Sequence, residues 1–171
     1  MALVLLGAPA WAQSAGTVEL GAYARFTEYD NSLGLGEALG VGGRVGVFFL
    51  RGLALEADLS RSSTGGVTHK PLHAWLAYSV PTGSAAQVLV GAGYVRNAYS
   101  GDRDVSENGI SGFVGLRVRA GGRLAVRIDA IEDYIGHPAN HRTANAVPYN
   151  GNLGLQVGVS WLVNPLGRAT R

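Results

Sequence analysis

Large apolar residues alternate with small or polar residues along many segments of this chain, and NGNLGLQVGVSWLV at 150–163 is the clearest case. Every second position from Leu153 to Trp161 is large and apolar, whereas the positions between them carry glycine, glutamine or serine. Successive side chains of a β-strand point to opposite faces. The pattern therefore predicts a strand with one apolar face and one face of small or polar residues.

The same alternation recurs along the chain and predicts eight strands. They cover residues 18–26, 39–49, 53–60, 72–80, 87–97, 110–120, 124–133 and 153–161. A tilted strand of roughly 9–11 residues crosses the hydrocarbon core of a bilayer, and most of these segments have about that length.

The connections between the predicted strands alternate in length. Three are short and contain glycine or proline, as tight turns do: 50–52, 81–85 and 120–123. The other four are longer and polar: 27–37, 61–70, 98–108 and 134–149. This alternation predicts an up-and-down meander with four long loops at one end.

Charged residues within the predicted strands fall mainly on the face that is not apolar. They are Glu19, Arg25, Arg44, Glu56, Asp58, His73, Arg117, Arg119, Arg127 and Asp129. Both signs occur, and buried charges must be paired to be tolerated. We therefore expect Arg44, Arg117 and Arg127 to pair with Glu19, Glu56, Asp58 or Asp129 inside a narrow barrel.

Glycines share the face that carries the charges, at positions 40, 42, 46, 91, 93, 115, 154 and 158. Glycine weakens a strand, so many glycines are not expected on the solvated face of a sheet. They are expected inside a narrow barrel, where they leave space for the long side chains that fill the interior. The glycines therefore favour a charged interior and an apolar face directed to lipid.

Aromatic residues near the strand ends support the same orientation. Phe49, Tyr78 and Trp161 lie towards the short turns, and Phe26, Tyr94 and Tyr134 lie towards the long loops. Membrane barrels place aromatic rings at both interfaces. The sequence thus predicts an all-β fold, an eight-stranded antiparallel up-and-down transmembrane β-barrel. A soluble lipocalin-like carrier or β-sandwich, with the apolar face inward, remains the alternative.

Composition narrows the functional classes for the 171-residue chain, for which we expect one barrel domain at 17–163 and a short tail at 164–171. Charged residues make up 15%, against about 25% in a typical soluble domain. The absence of cysteine excludes disulfides, thiolate metal sites and a cysteine nucleophile. A net charge of +2 without a Lys/Arg cluster gives no sign of a nucleic-acid partner.

The N-terminal stretch ALVLLGAPAWAQ is a short apolar run that ends in Ala10-Trp11-Ala12. This small-x-small pattern predicts a secretory signal peptide at 1–12 that is cleaved after Ala12. An even number of strands would then place both termini in the periplasm.

Four motifs resemble those of the OmpA/OmpX-like outer-membrane β-barrel family. They are ELGAYARF, VLVGAGYV, GFVGLRVR and LGLQVGVSWLV, and the resemblance covers roughly residues 17–163. It implies a location in the bacterial outer membrane, with contact to membrane lipid and lipopolysaccharide, and we expect a monomer. The family commonly ends on an aromatic residue, whereas ten residues follow Trp161 here.

Two histidine pairs, His69/His73 and His137/His141, are each spaced by four residues. On a strand this spacing separates the side chains by about 13 Å, too far to share one metal ion. His69, His137 and His141 fall in predicted long loops, where a zinc site is conceivable, although exposed loop histidines are commoner. We predict no metal site and no cofactor.

Asp102, Asp104 and Glu107 form an acidic stretch in another predicted long loop. Oxygen ligands at this spacing could hold calcium or bridge to a lipopolysaccharide phosphate, but the EF-hand pattern is not met. A solvated loop is the simpler interpretation.

No arrangement in the sequence predicts an enzyme. A lipid-modifying hydrolase needs serine, histidine and an acid together at the lipid-facing rim. The stretch 135–150 carries two histidines without a serine, and Ser111 and Ser160 are predicted to point inward.

The favoured function is structural or surface-interacting, through the four long loops and an unidentified partner. The alternative is a small ion or solute pore that is gated by the interior charges.

Overall fold

The computed structural model describes residues 13–29, 33–82, 85–102, 104–136 and 150–164, which form eight β-strands. The strands are β1 (Val18–Glu28), β2 (Ala38–Leu50), β3 (Leu53–Thr64), β4 (Val67–Pro81), β5 (Ala86–Gly101), β6 (Val105–Gly121), β7 (Leu124–Ile135) and β8 (Asn150–Val163). Each strand pairs antiparallel with the next, and β1 pairs with β8 to close the sheet. The predicted eight-stranded up-and-down barrel is confirmed.

The two faces of the sheet reverse the usual arrangement of a soluble protein. Large apolar side chains point outward and are exposed, among them Leu39 at 72% and Ile110 at 66% relative exposure. Charged side chains point inward and are buried, among them Glu19 and Arg117 at 0%. A soluble carrier barrel or β-sandwich would require the opposite assignment, because its apolar face packs inside. In the described ranges no helix is long and apolar enough to cross a membrane.

Two of the four predicted long loops are strands in the structure, which corrects that prediction. β3 and β4 are joined by the two-residue turn Gly65-Gly66, and β5 and β6 by residues 102–104. Gly65 and Gly66 have φ values of 54° and 75°, the positive values that a tight two-residue hairpin needs at both central positions. The strands here are polar on both faces, so they continue although their apolar alternation stops.

The remaining long connections, 29–37 and 136–149, leave the barrel on the same side, because β8 lies next to β1. We call the end of the barrel that carries them the loop end, and the opposite end the turn end. Residues 30–32 and 137–149 lie outside the described residues, as do the predicted signal peptide and positions 165–171 of the predicted tail.

The chain before β1 packs along the turn end of the barrel. The backbone N–H of Gly16 donates to the carbonyl of Phe48 at 2.7 Å, and that of Gly52 donates to the carbonyl of Gln13 at 3.1 Å. Above this segment Phe48, Ala54, Ala125 and Leu162 form a small buried apolar cluster. The turn end of the lumen is therefore filled with apolar side chains.

Candidate functional site

Seven buried charged side chains meet in the middle of the lumen, and we call them the central network. They are Glu19 on β1, Arg44 on β2, Glu56 and Asp58 on β3, Arg117 on β6, and Arg127 and Asp129 on β7. Three guanidinium groups face four carboxylates. Alternate residues of each strand face the lumen, and each of these seven side chains occupies a lumen-facing position.

Arg44 is held from two sides of the barrel. Its Nε and Nη2 atoms donate to the two carboxylate oxygens of Asp58, each at 2.8 Å. Nη2 also lies 2.9 Å from Oδ2 of Asp129 and donates to Oε1 of Gln156 at 2.6 Å. The two-point contact with Asp58 fixes the plane of the guanidinium group.

Arg127 contacts three carboxylates. Its Nη1 and Nη2 atoms donate to the two oxygens of Glu56 at 3.1 and 2.9 Å, and its Nε donates to Asp129 at 2.9 Å. Nη1 also donates to Glu19 at 3.4 Å. The guanidinium group stacks over the ring of Phe113 at 5.1 Å. Arg127, like Arg44, therefore lies within ion-pair distance of three carboxylates.

Arg117 joins the first strand to the sixth. Its Nη2 donates to Glu19, and its Nη1 donates to Gln87 at 3.2 Å and to Ser79 at 3.3 Å. Glu19 also accepts a hydrogen bond from Ser160 at 2.6 Å. These bonds satisfy charges that would be costly to bury alone.

A second ion-pair group lies nearer the loop end and includes a residue that the sequence analysis missed. Asp133 lies 3.4 Å from Nη2 of Arg25 and 3.0 Å from Nε2 of His73, and it accepts a hydrogen bond from Ser111 at 2.8 Å. Asp133 continues the odd-numbered series of Arg127 and Asp129 on β7. That parity is the signal that could have identified it.

Aromatic side chains fill the space beside the charges. Trp75, Phe113, Leu89 and Ile131 form one buried cluster with Ala77. A Cβ atom at Gly91 would overlap the ring of Phe113, and one at Gly115 would overlap the carboxylate of Asp129. The lumen glycines thus make room for large side chains.

The loop end is closed by a different cluster, which we call the upper plug. Its members are Tyr29, Leu33, Ala38, Ser62, Val67, His69, Asn97 and Tyr99. Leu33, from the connection between β1 and β2, is fully buried against the others. Tyr29 and Leu33 of that connection therefore pack inside the loop end of the barrel.

Hydrogen bonds and stacking orient the polar members of the upper plug. His69 Nε2 lies 2.9 Å from Oδ1 of Asn97, an acceptor, so Nε2 carries the proton. His69 Nδ1 then accepts from the Tyr29 hydroxyl at 3.0 Å, and the imidazole stacks on Tyr99 with ring centroids 4.7 Å apart. Burial raises the pKa of the Tyr29 hydroxyl, which keeps it protonated as a donor.

The structure corrects the predicted position of three residues. Arg119 is exposed rather than buried in the lumen, because it lies at the turn end of β6, where residues 119–124 are all exposed. Its Nη2 donates to the Gly122 carbonyl at 3.1 Å. His69 lies in β4 and Glu107 in β6, both buried rather than in loops.

No group of three histidine, cysteine, aspartate or glutamate residues suited to a metal ion occurs in the described part of the chain. Asp102 and Asp104 are exposed at the turn before β6, whereas Glu107 is buried. Asp102 and Asp104 thus agree with the predicted solvated loop, whereas Glu107 does not. His137 and His141 lie outside the described residues.

All six predicted interface aromatics point outward and are exposed. They are Phe26, Phe49, Tyr78, Tyr94, Tyr134 and Trp161. Tyr94 and Tyr134 both pair with Ile110, which places them in one row across β5, β6 and β7. Tyr78 and Trp161 lie towards the turn end, the latter paired with Leu20 and Leu124.

Solved structures of outer-membrane proteins share this architecture. OprG from Pseudomonas aeruginosa superposes with a TM-score of 0.62 at 12% identity, over 89% of this chain and 98% of that chain. Neisserial surface protein A superposes with a TM-score of 0.61 at 19% identity, over 85% and 95%. The N-terminal β-barrel domain of Pseudomonas aeruginosa OprF gives 0.60 at 14% identity, over 88% and 100%.

No family model and no curated protein sequence matches the chain. The likeness to solved structures is therefore one of fold, carried by strand number, closure and length rather than by sequence identity. It confirms, at the level of the fold, the resemblance to OmpA/OmpX-like proteins that the strand motifs indicate. The chain has the fold of the small eight-stranded outer-membrane β-barrels.

Proposed function

We propose that this protein is an integral, non-enzymatic component of the bacterial outer membrane with a structural or surface-interacting role. The observation that carries the proposal is the reversed sheet: exposed apolar side chains surround buried, paired charges in a closed barrel. Closure satisfies the backbone groups that lipid cannot solvate. Both termini then lie in the periplasm and the loop end lies at the cell surface.

Surface interaction would fall to the connections 29–37 and 136–149. They emerge side by side from a rigid barrel, and function concentrates on loops that a rigid scaffold presents. The tight β3–β4 and β5–β6 connections make the other half of the loop end a pair of stiff hairpins.

The filled lumen favours a protein that does not conduct. It contains an apolar cluster at the turn end, the central network with the aromatic cluster beside it, the ion-pair group around Asp133, and the upper plug at the loop end. A cavity beside Arg44 and Gln156 measures about 10 Å³, close to the space of one water molecule. Ser111 and Ser160 are buried, and their hydroxyl groups donate hydrogen bonds to carboxylates. Neither of these two serines is therefore accessible as the nucleophile of a lipid-modifying reaction.

The membrane assignment is tested by refolding the protein into detergent and comparing boiled and unboiled samples by SDS gel electrophoresis. A closed membrane barrel resists cold SDS and migrates as a compact band that shifts on boiling. The proposal fails if the protein stays soluble without detergent and shows no shift.

Planar-bilayer recording separates the structural role from the alternative of a small pore. The filled lumen predicts no reproducible open level for the wild-type protein. A stable, repeated current step at fixed voltage would support the pore instead.

A further inference from the structure

Three cations form a cluster on the outer surface of the barrel near the loop end. Arg61 on β3, Lys70 on β4 and Arg96 on β5 all point outward and are exposed. The register that pairs Leu59 with Leu72 places Arg61 opposite Lys70. Like charges placed directly across a sheet repel each other, so an external anion would stabilise this arrangement.

The cations have little internal compensation. Among the described residues none of the three forms an ion pair, and Arg96 donates only a long 3.5 Å hydrogen bond to Ser106. Glu37, Asp102 and Asp104 are exposed in the connections beyond the strand ends, whereas the outward carboxylates within the strands at this end lie on the opposite side of the barrel. Glu28 on β1 and Glu132 on β7 both pair with Leu153 on β8, which lies across the barrel from β4.

A furrow runs from the cations down the apolar surface of the same strands. It consists of three successive depressions of about 300, 400 and 460 Å³. Leu59 lines both the first and the second, and Val45 and Ala57 line both the second and the third. The first depression includes Arg61 and Lys70 in its wall.

Small side chains, among them Ala57 and Ala74, line the third and largest of these depressions. Ala57 on β3 pairs with Ala74 on β4, and both point outward. This pair lies between two pairs of larger residues, Leu55–Leu76 and Leu59–Leu72. Lys70 lies four residues along β4 from Ala74, about 13 Å at the rise of an extended strand. A head-group site and a slot for a hydrocarbon chain thus follow one another along one side of the barrel.

We propose that this side of the barrel binds one molecule of lipid A, with its phosphates on Arg61, Lys70 and Arg96 and an acyl chain in the furrow. Charge complementarity selects a phosphorylated lipid, and the furrow selects one with acyl chains over a free phosphate. The inference rests on the proposed membrane location, because only that location brings the site into a leaflet. The acidic side around β8 would face away from the bound phosphates.

Native mass spectrometry of the detergent-refolded full chain with added diphosphoryl lipid A tests the head-group site. We expect one retained lipid on the wild-type protein and at least about tenfold weaker retention on R61Q/K70Q/R96Q. The matched variant E28Q/E132Q removes two charges from the opposite side and should retain lipid A within about twofold of wild type. Equal retention by all three proteins would overturn the proposal.

The furrow is tested separately with A57L/A74L, which fills the slot without changing charge. It should weaken lipid A retention severalfold but leave the binding of the deacylated, phosphorylated disaccharide unchanged. A130L places a leucine on β7, outside the furrow, and should behave as wild type with both ligands. Retention of lipid A by A57L/A74L at the wild-type level would contradict the furrow as acyl-chain site.

The gel shift on boiling is recorded for every variant, which separates the two proposals. A protein without the shift has failed as a membrane barrel. A protein that shows the shift but retains no lipid A contradicts the lipid site alone.

Discussion

The central network and the upper plug both close the lumen, but they do so with different chemistry. In the network, three arginines contact four carboxylates through short ion pairs that cross the barrel, such as Arg127–Glu56 at 2.9 Å. In the plug, neutral groups such as Tyr29, His69 and Asn97 share hydrogen bonds around the apolar Leu33. Ion pairs therefore fill the lumen at the central network, whereas packed neutral side chains fill it at the upper plug.

The difference lies in what each layer loses when one member is removed. A missing arginine leaves four buried carboxylates to share two guanidinium groups, an imbalance of buried charge that is strongly destabilising. A missing plug residue leaves a neutral donor or acceptor, a smaller penalty, and this layer lies closer to water. Substitutions in the central network should therefore lower the free energy of unfolding more than substitutions in the upper plug.

Arg127→Ala should give the largest effect, because it removes the partner of Glu56, Glu19 and Asp129 together. We expect a loss of about 3–5 kcal/mol in the free energy of unfolding, measured by urea titration in detergent. Arg119→Ala, on the exposed end of β6, should change it by less than about 0.5 kcal/mol. Equal stability of the two variants would show that the network does not hold the barrel.

His69→Leu should have an intermediate effect. It leaves Tyr29 and Asn97 without their shared partner, so we expect a loss of about 1–3 kcal/mol by the same titration. Single-channel recording of this variant should still show no open level, because the central network remains beneath the plug. A conducting His69→Leu variant would show that the plug, and not the network, is the seal.

Tyr29→Phe should have the smallest effect. The ring stays, and only the hydroxyl that contacts Ser62 and His69 is lost, so we expect about 0.5–1.5 kcal/mol. The control is Ser63→Ala, which removes an exposed hydroxyl from the β3–β4 hairpin that carries Ser62 and His69. It should leave the free energy of unfolding nearly unchanged. A Tyr29→Phe loss as large as that of Arg127→Ala would abolish the distinction between the two layers.

The alternation of apolar and polar positions was sufficient to predict the strand number, the closed meander and the direction of each face. It did not predict the β3–β4 hairpin, because Arg61, Ser63, Thr68 and Lys70 are polar outward residues beyond the apolar band. The Gly65-Gly66 pair is a hairpin signal in its own right and marks the turn without any hydrophobic pattern.

The sequence also predicted which face of each strand carries the charges, but it did not predict which charged residues form ion pairs with one another. Parity assigns a side chain to the lumen, and it would have included Asp133. Which charges meet depends on height within the barrel, and height follows from the tilt and stagger of the strands. The contact of Glu19 with Arg117, 98 positions apart, is therefore a property of the closed sheet.

That separation has a consequence for the order of assembly. Among the described residues, Glu19 on the first strand forms its ion pairs with Arg117 on β6 and Arg127 on β7. A partly inserted sheet would hold this carboxylate in the bilayer without its two ion-pair partners, a state that lipid penalises. Insertion of the early strands and closure by the late ones must then be concerted, and the high sequence separation makes this folding slow.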